Sequence, residues 1–77
     1  MDLKQTLIDI ARAIVDSPDC VSVEEEVDGD TVTFTLSVAE ADTGMVIGRH
    51  GKIAKAIRTM IKAASANTGK KVNVDIP

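Results

Sequence analysis

The stretch MVIGRHGKIAKAIRTMIK, Met45–Lys62, carries two glycines, Gly48 and Gly51, around the basic pair Arg49-His50. Apolar residues lead into the turn, and a run mixing basic and apolar positions follows it. The pattern reads as helix, break, helix. Asp42 or Thr43 can cap a short helix that runs through Ile47. Gly48 to Gly51 interrupts it, and a second helix runs from about Lys52 to Ala66. Ile53, Ile57, Met60, Ile61 and Ala64 form its apolar stripe, with Lys52, Lys55, Arg58, Thr59 and Lys62 on the other side. Asn67-Thr68-Gly69 supplies a stop, with Gly69 suited to a left-handed conformation.

Upstream, Leu3, Leu7, Ile10 and Ile14 recur at spacings of three and four, which predicts an amphipathic helix of about three turns. Asp2 can cap its start, and the Asp16–Asp19 segment DSPD stops it, because Pro18 disfavours helix at Ser17. Two strands follow. In CVSVEEEV (Cys20–Val27), Val21, Val23 and Val27 share a face. In TVTFTLSV (Thr31–Val38), Val32, Phe34, Leu36 and Val38 alternate with threonine and serine. Asp28-Gly29 supplies the positive-φ positions of a tight hairpin between them. After the helical pair, Val72, Val74 and Ile76 alternate with Lys71, Asn73 and Asp75 in a last strand, which Pro77 ends. The order α-β-β-α-α-β predicts an α+β two-layer sandwich, with three helices on one face of a three-stranded mixed sheet. The hairpin pairs antiparallel, and the helical crossover places the last strand parallel.

With 77 residues, the chain has room for one domain, residues 1–77, with a single aromatic residue, Phe34. No apolar run approaches the roughly 20 residues of a membrane span, no leader is expected, and Cys20 has no partner for a disulfide. These features fit a reducing, cytoplasmic setting. Cys20 reads as a small apolar residue, since only acids surround it in sequence.

The net charge of −3 conceals an asymmetry. Residues 1–42 hold eleven of the twelve acidic residues, whereas residues 43–74 hold none and carry seven of the nine lysines and arginines. Such a division implies an anion-facing surface on an acidic body, or a solvated helix face with no ligand.

The glycine turn admits both readings as well. It can be a plain helix–helix connection, or a place where backbone approaches a ligand closely because no Cβ intervenes. The second helix starts there, so its first N–H groups favour an anion, and Arg49 and Lys52 add full charges. Phosphate suits this arrangement. Met45, Val46, Ile47 and Ile53 could wall a groove for bases. There is no second histidine to join His50 in a metal or catalytic site, and a P-loop sequence is absent. No catalytic residue, metal or cofactor is expected.

The segment VIGRHGKIAKAI resembles the Ile/Val-Ile-Gly-x-x-Gly-x-x-Ile signature of KH domains, and the element order resembles their type II, bacterial arrangement. Small size and the stretch DTGMVIGRHGKIAKAIRT resemble the bacterial KhpA group of single-KH RNA-binding proteins. The resemblance implies a non-enzymatic protein whose Gly48, Arg49, His50 and Gly51 clamp the backbone of about four unpaired nucleotides. Lys52 and Lys55 would assist, with Ile47 and Ile53 lining the groove. It further implies single-stranded RNA as partner, homodimers, and an RNA chaperone or post-transcriptional regulator working with a second KH protein of the KhpB/Jag type. Cell-envelope homeostasis and cell-length control come with that group. The alternative is a KH-fold protein-interaction module with weak or no RNA binding. The acidic run Glu24–Glu26 would then serve a basic partner.

Overall fold

Alternation sorts each strand's residues into two faces, and the hairpin register puts the apolar ones together. In the computed structural model, which describes residues 2–76, β1 (Ser22–Asp28) pairs antiparallel with β2 (Thr31–Ser37), Val23 facing Leu36 and Val27 facing Val32. Pro77, expected to end the last strand, lies outside the described residues with Met1. β3 (Lys71–Asp75) pairs parallel on the other side of β2, with Val72 beside Val32 and Val74 beside Phe34. The sheet order is β1-β2-β3. Threonines and serines of β2 share the far face with Ser22, Glu24 and Glu26, as their spacing requires.

The opposite face receives α1 (Leu3–Ile14), α2 (Thr43–Ile47) and α3 (Lys52–Ala64). Asp2 caps α1, its carboxylate accepting the Gln5 N–H at 3.1 Å. Leu7 and Ala11 of α1, Val46 of α2, and Ala54, Ile57 and Ile61 of α3 close over Val23, Val32, Phe34, Leu36 and Val72 in one core. Among the strands β2 contributes most to it, because β2 alone is flanked on both sides. The element order and the mixed three-stranded sheet agree with the sequence expectation.

Several details differ, each for a physical reason. The hairpin turn is Gly29-Asp30, not Asp28-Gly29: Asp28 completes β1 opposite Thr31, and Gly29 alone takes positive φ, +60°. Val27 points to the core side yet is 56% exposed, since the helical layer stops short of the hairpin end. A shallow recess of about 240 Å³ opens there, lined by Leu3, Lys4, Glu25, Phe34, Thr68 and Lys70. Glu25, on the apolar face by alternation, is tolerated for the same reason.

Helix α3 ends at Ala64, two residues earlier than expected, where Ser65 turns back on Lys62 through a hydroxyl bond of 2.9 Å. Its stripe is rotated. Ala54 is buried, whereas Ile53 (37% exposed) and Met60 (48% exposed) stand out of the core. Asp42 does precede α2, but its carboxylate does not cap that helix. It is buried and accepts the Ser17 N–H at 2.9 Å, tying the loop after α1 to the start of α2. A buried carboxylate needs such a donor. The 3₁₀ turn Glu40–Asp42 leads the chain into α2 instead.

Candidate nucleic-acid interface

Between α2 and α3 the backbone makes a turn open to few residue types. Gly48 closes α2 by donating its N–H to Gly44 O at 2.8 Å. Its own φ of 74° and ψ of 174° fall in a region essentially reserved for glycine. The Ile53 side chain lies over it, so an added Cβ would come within 2.6 Å of Ile53 Cγ1. His50 (φ 57°, ψ 25°) and Gly51 (φ 73°, ψ 13°) follow in left-handed conformation. A hypothetical Cβ on Gly51 meets nothing within 4 Å. Gly51 N–H and Lys52 N–H are held by Gly48 O and Arg49 O, which winds the turn into a single 3₁₀ loop. Among the described residues, no backbone hydrogen bond takes the Arg49 or His50 N–H.

This winding sets the exposure of the candidate residues. Arg49, His50, Lys52, Ile53 and Lys55 are exposed, and Ile47, Gly48 and Gly51 are partly buried. Val46, considered above as a groove wall, is 1% exposed and belongs to the core, because it points inward from α2. Met45 and Ile53, each 37% exposed, supply the apolar surface beside the turn. The turn therefore brings a basic pair, two backbone donors and two exposed apolar side chains together at the start of α3.

The basic surface continues along α3. Lys55, Arg58 and Lys62 recur at spacings of three and four, which places them on one side of the helix. That side faces the sheet edge: Arg58 Nε donates to Val74 O at 3.2 Å. In a parallel ladder, alternate residues turn their peptide groups to opposite sides. Lys71 N–H donates inward to Asp30 O at 2.9 Å, so the peptide groups of Val72 and Val74 turn outward. Arg58 thus bridges α3 to the outer edge of β3. Sequence reasoning counted Arg58 only among the basic face and assigned Val74 only to the core. Helical spacing carried the first signal, and nothing in the chain's order signalled the second.

Comparison with known proteins places the chain in a family. A family model described as "KhpA/KhpB, KH domain" matches residues 4–76. The chain belongs to the KhpA/KhpB KH-domain family. Relatives named RNA-binding protein KhpA include one from Clostridium acetobutylicum, 49% identical over 74 residues, covering 96% of this chain and 99% of the relative. Another, from Caldanaerobacter subterraneus, is 48% identical over 67 residues, covering 87% of this chain and 89% of the relative. The one from Bacillus subtilis is 40% identical over 74 residues, covering 96% and 91%. Among solved structures, Era from Aquifex aeolicus matches with a TM-score of 0.63 at 13% identity. That match covers 95% of this chain but 28% of the Era chain, and shows the fold alone. The KH family assignment makes the glycine turn the part of the surface to test first. No helix among the described residues is long and apolar enough to cross a membrane.

Proposed function

We propose that this KhpA/KhpB-family chain is a single KH domain, residues 1–77, that binds single-stranded RNA at the turn joining α2 to α3. The observation that carries this reading is the left-handed turn itself, which holds Arg49 and His50 outward beside two uncommitted backbone donors. Gly48 and Gly51 let the RNA backbone approach. Arg49, His50, Lys52 and Lys55 meet phosphates, and Ile47 and Ile53 contact bases. The protein acts without catalysis or cofactor, in the cytoplasm, as an RNA chaperone or post-transcriptional regulator. Its partner in that role is a second KH protein of the KhpB/Jag type, with effects on the cell envelope and cell length. The names of its relatives and the joint KhpA/KhpB family model support this reading.

The test is the double substitution Arg49→Asp/His50→Asp. Both side chains are exposed, so stability should change by no more than about 1 kcal/mol. Two carboxylates would then oppose phosphates, and binding of a single-stranded RNA by fluorescence anisotropy should disappear. Wild-type affinity in a folded double variant would show that the turn is only a helix connection.

A second reading, a protein-contact module, is favoured by one observation. Met45, Ile53 and Met60 all stand exposed on the helical side, with Met60 at 48%. In the first reading the flank of α3 at Met60 serves homodimer formation, which joins two weak RNA sites at high effective concentration.

A further inference from the structure

At the far end of α3 from the glycine turn lies a second basic feature. Ser65, Gly69 and Asn73 line a recess of about 280 Å³ with Lys62, Lys70 and Lys71, and no carboxylate lines it. Three ammonium groups around one concave surface repel one another unless an anion joins them. One structural explanation for lysines at this place is neutralisation of the helix C-terminus, whose last carbonyls carry about half a negative charge. Here three of those carbonyls already have partners. Ile61 O accepts the Ser65 N–H at 3.0 Å, Lys62 O the Ser65 hydroxyl at 2.9 Å, and Ala63 O the Ala66 N–H at 3.3 Å. Ser65 O accepts both the Thr68 N–H at 3.0 Å and the Thr68 hydroxyl at 2.7 Å. The lysines are not needed for capping, and their three full charges outweigh the helix's half charge.

Position supplies the ligand. Lys62 continues the line of Lys55 and Arg58, and Lys71 and Asn73 belong to the same β3 edge that Arg58 reaches. One side of α3 and the strand it faces therefore lead from the glycine turn toward this recess. With thirteen residues in α3, the two ends are about 20 Å apart. We infer that the Lys62, Lys70 and Lys71 recess is a second phosphate-binding site for the same RNA strand, engaged only by strands longer than those the glycine turn holds alone. This rests on the RNA-binding reading and deepens it.

The experiment compares fluorescein-labelled single-stranded RNAs of about four and about twelve nucleotides, titrated at several salt concentrations. At roughly 3.4 Å per phosphate for a stacked strand, twelve nucleotides span the separation, and four seated at the glycine turn do not also reach the recess. If three phosphates are added at the recess, the salt slope of log K should steepen by about 2 for the longer RNA. A fourfold rise in salt would then weaken it about 20-fold more than the shorter one. This comparison needs only the wild-type protein. The variant Lys62→Gln/Lys70→Gln/Lys71→Gln should bind the short RNA as wild type does, because the sites lie farther apart than the Debye length of about 8 Å. It should lose the added slope and the added affinity for the longer RNA. Equal slopes for the two lengths in the wild type, or a length gain that survives in the triple variant, would overturn the second site. Binding of neither RNA by the wild type would overturn the RNA reading itself.

Discussion

The two glycines of the turn look equivalent in sequence and should differ in what a methyl group does to them. At Gly48, alanine meets two separate costs. The backbone at φ 74°, ψ 174° is one that L-residues avoid, at about 1–3 kcal/mol. The new Cβ would also lie 2.6 Å from Ile53 Cγ1 and 2.8 Å from Ile53 Cβ. The Cβ of Ile53 is fixed to the first turn of α3 and cannot swing aside by rotamer change alone. Such overpacking costs about 1–3 kcal/mol more. The sum, about 2–6 kcal/mol, is a large part of the roughly 4–12 kcal/mol expected for a domain of this length. At Gly51 only a left-handed conformation is at stake, worth about 1–2 kcal/mol, with open space around the new atom. Urea unfolding followed by circular dichroism should therefore rank Gly48→Ala well below Gly51→Ala, and Gly51→Asn should be milder still. Thermal midpoints should separate by about 4–8 °C per kcal/mol. Repeating Gly48→Ala in an Ile53→Ala background should recover the part of the overlap due to Ile53 Cγ1 and Cδ1, and leave the Cβ contact and the backbone component. Equal losses at the two glycines, or no recovery in the double variant, would refute the contact between Gly48 and Ile53 as the source of the difference. A consequence for binding studies is that Gly48 substitutions confound folding with RNA affinity, whereas Arg49 and His50 do not.

Asp42→Ala should destabilise the chain by about 1.5–3 kcal/mol, read as a lowered urea midpoint, since it strands the Ser17 N–H. Asp42→Asn, which keeps an acceptor oxygen, should recover part of that loss. Met60→Glu should leave the fold unchanged and convert a homodimer to a monomer in light scattering across a dilution series. Met60 suits this better than Ile53, because Ile53 also packs on Gly48. A variant that self-associates like the wild type would remove α3's exposed flank from the dimer contact.

Strict alternation in Thr31–Ser37 was enough to assign β2, its buried face and its neighbour across the hairpin, because strand periodicity is a property of local backbone geometry. The same holds for α1, whose apolar spacing and Asp2 cap are local. The glycine turn was legible too: two glycines and a basic pair at a helix start constrain backbone and charge within a few residues. Other features depended on what came to lie against what. The register of β1 places Val27 on the core face, but only the reach of the helical layer leaves it exposed. Asp42 had the sequence position of a cap, and it instead bonds Ser17, twenty-five residues earlier, because folding brings that N–H to it. Ile53 and Met60 fit α3's apolar stripe by spacing, yet the direction in which α3 meets the sheet buried Ala54 and left them out. Arg58 joined Val74 for a like reason, and Lys62 met Lys70 and Lys71 only when the chain reversed between α3 and β3. Local chemistry decides which element forms. The docking of elements decides which of its side chains face solvent, core or ligand.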